Sequence, residues 1–204
     1  MRAFQAALTL KCQVVLVHHP DVALPKSSPR LTLVPAGKTL FDSVAAGLNV
    51  CQTEFIIVLA TDLPLVNGES LNRFFESSCL LEAEVIIALA RLDACRRLGY
   101  DTCHPIPLQG EQFKFGSTFF IRRRARECVL GAIENILGLR KRPIRLVQRF
   151  LSFRFFVPLM RFMLSHIFFS LSLTYREAER LVADQIGVQA RVLIADPCLA
   201  IDHD

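Results

Sequence analysis

Cysteine pairs at metal or redox spacing are absent. The seven cysteines (Cys12, Cys51, Cys79, Cys95, Cys103, Cys128 and Cys198) are scattered, and none belongs to a CxxC pair. Most sit inside apolar runs, where a thiol behaves as a small hydrophobe. The odd count and the spacing argue against a disulfide scaffold and against a zinc ribbon. No low-complexity tract and no repeat at a solenoid period occurs, so a linker-rich or stacked-repeat architecture is excluded. A secretory signal is also missing, because the apolar start is short and soon broken by Lys11 and Gln13. The expected compartment is the cytoplasm. The sequence has no clean membrane span either. Residues 155–173 are nearly long enough, but Arg161 falls among them, at about +2.5 to +3.5 kcal/mol for a charge at a helix centre. Pro158, His166 and three serines weaken that segment further as a span. A buried or interface helix is the expectation, with peripheral membrane contact or homodimerisation through 155–173 as its alternative uses.

What remains is the composition of a globular domain. The chain has 204 residues, 52% hydrophobic and 21% charged. That length suits one domain burying roughly two-thirds of its unfolded surface. Its formal charge of +5 is unevenly placed. Residues 114–161 carry 12 basic and 2 acidic side chains, whereas the others carry 12 basic and 17 acidic. Such asymmetry fits either an anionic partner for the second half or a solvated, arginine-rich helix surface.

Short, continuous apolar runs alternate with amphipathic stretches. Residues 14–17, 55–60 and 85–90 are apolar without alternation, the pattern of strands buried on both faces. Between them Leu40, Phe41, Val44, Ala45 and Leu48 share a helix face, with Thr39 as N-cap and Asp42 in the first turn. Asn67 or Ser70 caps a second helix, whose inner stripe is Leu71, Phe74, Phe75 and Cys79. A polar loop is expected over 100–112, then a strand around 119–121 and a helix presenting Val129, Ile133, Ile136 and Leu137. Pro143 suits the first turn of a further helix. Thr174 and Glu177 form a capping box opening another, and a last strand covers 192–195. Strands separated by helices imply βαβ crossovers and a mainly parallel, three-layer α/β sheet. Residues 140–187 form a helical insertion in the single domain 1–204.

Three motifs carry chemistry. Asp62 directly follows the run 55–60, so it stands at the carboxyl edge of a parallel sheet, where open α/β folds bind ligands. A carboxylate there can hold Mg²⁺ against a triphosphate, or simply cap a turn. Asp202 and Asp204, spaced i, i+2 after the last strand, point the same way and can share a metal. Gly37-Lys38-Thr39 looks like the tail of a phosphate loop, but the pattern GxxxxGK[ST] needs glycine at position 32, where Thr32 stands. Gly37 and Lys38 ahead of a helix can still meet an anion. His18-His19 and Cys103-His104 have no partners at metal spacing, and His166 reads as a packed histidine.

Taken in order, GKTLFDSVAAGL (37–48), TDLPL (61–65), FKFGSTFFI (113–121) and LAIDHD (199–204) resemble the MobA-like nucleotidyltransferases. That family is related to the molybdenum-cofactor guanylyltransferase and the sugar-phosphate nucleotidyltransferases. The resemblance implies a Rossmann-like sheet of the GT-A type and Mg²⁺-dependent transfer of NMP from an NTP to a phosphorylated small-molecule acceptor. It implies Asp62 and Asp202 as catalytic metal ligands, with Asp204 beside them. It further implies nucleotide contacts at Gly37, Lys38, Ser43, Gly47 and Thr61, and acceptor contacts at Gly116, Thr118 and Lys141. Nucleic acid is not an expected partner. Thr118 departs from the pattern, since asparagine is expected there. So does the start, because the family opens with a strand and a glycine-rich loop, whereas residues 1–10 already look like the helix after that loop. The chain therefore reads as short at its N-terminus and slightly short at its C-terminus. A P-loop NTPase or kinase and a non-catalytic nucleotide-binding or membrane-surface module are the readings from other classes.

Overall fold

The apolar runs become strands and the amphipathic stretches become helices. A computed structural model describes residues 2–22, 29–101, 105–140 and 172–202. Helix α1 (Arg2–Thr9) leads to strands β1 (Val14–His18) and β2 (Leu31–Pro35), then to helix α2 (Leu40–Val50) and strand β3 (Phe55–Leu59). Next come α3 (Gly68–Cys79), β4 (Val85–Arg91), the short α4 (Leu92–Arg97), β5 (Ile106–Leu108) and β6 (Glu111–Arg122). Helix α5 (Arg126–Arg140), helix α6 (Tyr175–Ile186) and strand β7 (Ala190–Ile194) complete the order.

The caps form where side-chain chemistry favours them. Thr39 and Asp42 make a reciprocal capping box on α2, and Thr174 with Glu177 makes one on α6. Asn67, rather than Ser70, caps α3 by accepting from the Ser70 amide. Helix α6 ends at Gly187 in the left-handed conformation, which only glycine adopts cheaply.

The expectation of a mainly parallel sheet needs correction. Strands β3, β6, β4 and β7 lie side by side, with β6 antiparallel to both β3 and β4, and β5 paired to β6 as a hairpin. Only β4–β7 and β1–β2 pair in parallel, so the main sheet is mixed. The sequence reading misses β2, a short segment closed by Pro35, and places a loop where β5 and the first part of β6 lie. Gln112 and Lys114 break the apolar signal there.

Alternation along β4 divides the core. Val85, Ile87 and Leu89 face one cluster, built with apolar residues of α2, α5 and α6, and Ile86 and Ala88 face the other, built with α1 and α3. Helices thus cover both faces of the sheet. Strands β1 and β2 form a separate two-stranded sheet. Strands β1 and β3 each have a single strand partner among the described residues, and their apolar side chains stay half-buried except Ile56, whereas Val85–Ala90 of β4 are fully buried.

Of the expected helical insertion, 141–171 lies outside the described residues, and with it most of the apolar segment 155–173. Leu173, at its end, is buried and bridges to Leu108. Among the described residues no helix is long and apolar enough to cross a membrane.

Candidate functional site

The carboxyl ends of β3 and β4, the middle of β6 and the segment after β7 meet at one rim. Strand β3 ends at Leu59, opposite Thr118, and the next amide, Ala60, donates to the Ser117 carbonyl at 3.1 Å. Thr61 and Asp62 follow and are exposed. Leu63, 1% exposed, plugs into the core behind Asp62 and fixes the loop on which the carboxylate rides.

Strand β6 is irregular at this point. Its register against β4 shifts between Ile87 and Leu89, which leaves Gly116, Ser117 and Thr118 facing Ala88. A bulge re-aims side chains that regular pleating would send elsewhere. Gly116 lies so close to β4 that a Cβ would sit 2.5 Å from the Ala88 carbonyl oxygen. Ser117 points to the rim and donates from Oγ to Asp202 Oδ2 at 3.1 Å. Thr118 is fully buried, and its hydroxyl donates to the Leu199 carbonyl at 3.1 Å. It holds the 199–202 segment from inside.

The same segment is anchored at its other end. Asp196 caps the turn Pro197–Leu199 by accepting from the Cys198 amide, and it also accepts from Ser70 Oγ at 3.1 Å and from Arg73. Ile201 is completely buried, so Asp202 leaves the core at a fixed place. There it meets Lys114, whose ammonium lies 2.8 Å from Oδ1 with only 9% of its side chain exposed.

The residues around the start of α2 belong to the end of the two-stranded sheet, where the Ala36 amide donates to the His18 carbonyl. Ser43 is an internal brace, since its Oγ accepts from the Gly37 amide at 3.1 Å and donates to the Thr39 carbonyl at 3.0 Å. The Thr39 amide is bonded to Asp42. Two donors that an anion would use are therefore occupied, which leaves the exposed Lys38 ammonium as the candidate anion contact there. A side chain at position 37 would collide with Asp42, and one at 47 would lie 2.8 Å from Val17 Cγ2. Gly47 thus packs α2 onto β1. Thr32 lies within β2, paired with Val15, so no phosphate loop wraps ahead of Gly37. Lys141 and Asp204 lie outside the described residues.

Comparison with known proteins bears on the scaffold. A solved structure of a hypothetical transferase from Thermus thermophilus superposes with a TM-score of 0.73 over 93% of this chain and 76% of the other, at 20% identity. The two chains share a fold. No family model and no curated protein matches the sequence. The shared fold is an α/β scaffold seen in a protein described as a transferase. At that identity the likeness extends to the fold alone.

Sequence reasoning missed Lys114, Ser117 and Asp196. Lys114 and Ser117 belong to a stretch whose alternation is broken by the bulge, and nothing in the spacing marks Lys114 as buried. Asp196 had a signal, an acid directly before proline at the end of a strand, which is a capping position.

The rim carries oxygen ligands. Among the described residues no group of three or more His, Cys, Asp or Glu side chains converges as a metal cage. Mg²⁺ does not need one, because it binds through one or two carboxylates, retained waters and substrate phosphates. Asp62 is exposed and suits that role. Asp202 turns only Oδ2 to the rim, because Oδ1 is shut off from solvent behind Lys114.

Burial works against the Asp202 charge, but the Lys114 ammonium and the Ser117 hydroxyl outweigh it and hold the carboxyl below its ordinary 3.8. Asp196 is also held below 3.8, because bonds from Cys198 and Ser70 and the charge of Arg73 overcome its burial. A carboxyl lowered on folding adds stability above its unfolded value and loses it as pH falls through the folded value. Urea unfolding is therefore expected to be flat above about pH 5 and to weaken steadily below it. Asp196→Asn is expected to shallow that acid limb; an unchanged limb would remove Asp196 from the account.

Proposed function

We propose that this chain is the catalytic domain of a Mg²⁺-dependent nucleotidyltransferase. In the reaction, an oxygen of a phosphorylated small-molecule acceptor attacks the α-phosphorus of an NTP. A new P–O bond forms, the bond to the β-phosphate oxygen breaks, and pyrophosphate leaves. The observation that supports this reading most is the rim itself. Asp62 stands exposed after β3, and β6 links it through the Ala60–Ser117 backbone bond to Asp202. Two acids from distant parts of the chain thus share one carboxyl edge, where α/β folds bind ligands.

Mg²⁺ bound at this rim supplies neutralisation of the triphosphate and of the leaving pyrophosphate. The protein needs no covalent nucleophile. Asp62 offers the accessible carboxylate, and Ser117 fixes Asp202 Oδ2 toward the rim. Lys38 offers a mobile cation for a phosphate, and Thr61, exposed beside Asp62, borders the nucleotide. Positioning and charge complementarity then carry the rate.

The assay is run on this chain and on the longest in-frame product of its gene. Each is offered the four NTPs with pooled phosphorylated acceptors and Mg²⁺. Pyrophosphate release that requires an acceptor is the expected result. Release of orthophosphate without pyrophosphate would sink the proposal in favour of γ-phosphate chemistry.

A further inference from the structure

The Lys114–Asp202 pair gives the rim a built-in cation. Lys114 comes from β6, opposite Ala90 near the carboxyl end of β4, and is 7% exposed as a residue. Its Nζ is 2.8 Å from Asp202 Oδ1, an oxygen with essentially no solvent contact. The other oxygen, Oδ2, accepts from Ser117. Both ends of this carboxylate are therefore engaged by the protein. The bulge at Gly116–Thr118 sets up the pair, because it lets Ser117 as well as Lys114 reach the same side chain. Cys95 of α4, which is fully buried, lies near the lysine. A buried ammonium without a counter-ion is costly, so Asp202 also helps to hold Lys114 in place.

We propose that Lys114 is a positioning residue that takes, on Asp202, the place a divalent cation would otherwise occupy. The pair is neutral as a unit. It presents Oδ2 and the Ser117 hydroxyl to substrate, while Asp62 is the carboxylate that holds the metal. This rests on the metal-dependent reading above, but it can fail separately, because its test reads metal affinity without nucleotide or turnover.

The probe is Mn²⁺ alone, followed by its electron paramagnetic resonance signal on titration into the full chain. Lys114→Met uncovers the Asp202 charge and is expected to tighten Mn²⁺ binding by about tenfold or more, as close-range electrostatics at an effective dielectric near 20 allows. Unchanged or weaker binding in that variant overturns the proposal, even where the unmodified chain binds no Mn²⁺. Lys114→Met leaves a partly buried carboxylate without its ion-pair partner, so its fold is checked by circular dichroism. The double variant Lys114→Met with Asp202→Asn removes both charges at nearly constant volume, an exchange that cores tolerate. It is expected to keep the unmodified chain's Mn²⁺ affinity within about threefold, since a neutral pair is replaced by a neutral pair. A larger loss would show that Asp202 ligates the metal directly, which also overturns the proposal. Asp62→Asn is the control for the underlying reading. If Mn²⁺ affinity survives it unchanged, the metal is not held by Asp62, whatever Lys114 does.

Discussion

Under the proposed reaction, Asp62→Asn is expected to lower kcat/KM for pyrophosphate release by a factor on the order of 10² to 10³, the usual range for removing one preorganised electrostatic group. Its melting temperature stays where it was, as expected for an exposed substitution. The two halves of this expectation have separate origins. Asp62 is exposed, and its loop is fixed by neighbours: Leu63 buries itself in the core, and the Pro64 carbonyl accepts from Arg2 at 3.0 Å. Replacing one carboxylate oxygen with an amide nitrogen leaves both anchors alone. It removes the full negative charge at the point where the proposed reaction needs a cation beside the triphosphate. Asp202 does not allow so clean a separation, because Asp202→Asn also removes the negative charge 2.8 Å from the buried Lys114 ammonium. Turnover and melting are therefore measured together, on the form of the protein that releases pyrophosphate. Unchanged turnover would take Asp62 out of the mechanism. A fall in turnover matched by an equal fall in stability would assign it a structural role.

The legible parts of this chain are those in which one local rule acts alone. The capping boxes at Thr39 and Thr174 need only a hydroxyl and an acid three residues later, and both form. Strands β3 and β4 are apolar on both faces, and they are found where the runs of 55–60 and 85–90 place them. Strand β6 was legible only at its end. Its first half mixes Gln112, Lys114 and Gly116 with phenylalanines, and the structure buries Lys114 while exposing 46% of Phe115. That inversion follows from the ion pair and the bulge, which are tertiary facts. The direction of β6 is equally hidden, because a strand's composition does not report whether its neighbours run with it or against it. The same limit applies at the rim. Asp62 is visible from its position after a strand. The partnership of Lys114, Ser117 and Asp202 joins residues 85 or more positions apart and becomes visible only once the sheet is assembled.

Gly116→Ala is expected to cost about 2–3 kcal/mol of unfolding free energy, the scale of overpacking against a part of the core that cannot yield. The cause is space. The added Cβ would lie 2.5 Å from the Ala88 carbonyl oxygen and 2.9 Å from the Ala88 Cβ. Ala88 belongs to β4, the most deeply buried strand, and is itself fully buried, so neither atom can move without disturbing the pairings of β4 with β6 and β7. Ala88→Gly does not relieve the variant, because the nearer contact is to backbone. Gly131 in α5 provides the control, since a Cβ there meets nothing within 4 Å. Gly131→Ala is expected to add up to about 1 kcal/mol through helix propensity. Urea unfolding of both variants reads the difference directly. The loss at position 116 should also reach the rim, because the displaced strand carries Ser117 and Lys114, the two groups that hold Asp202. If Gly116→Ala unfolds like the unmodified chain, β4 and β6 are not in contact at this bulge, and the positioning of Asp202 by β6 falls with it.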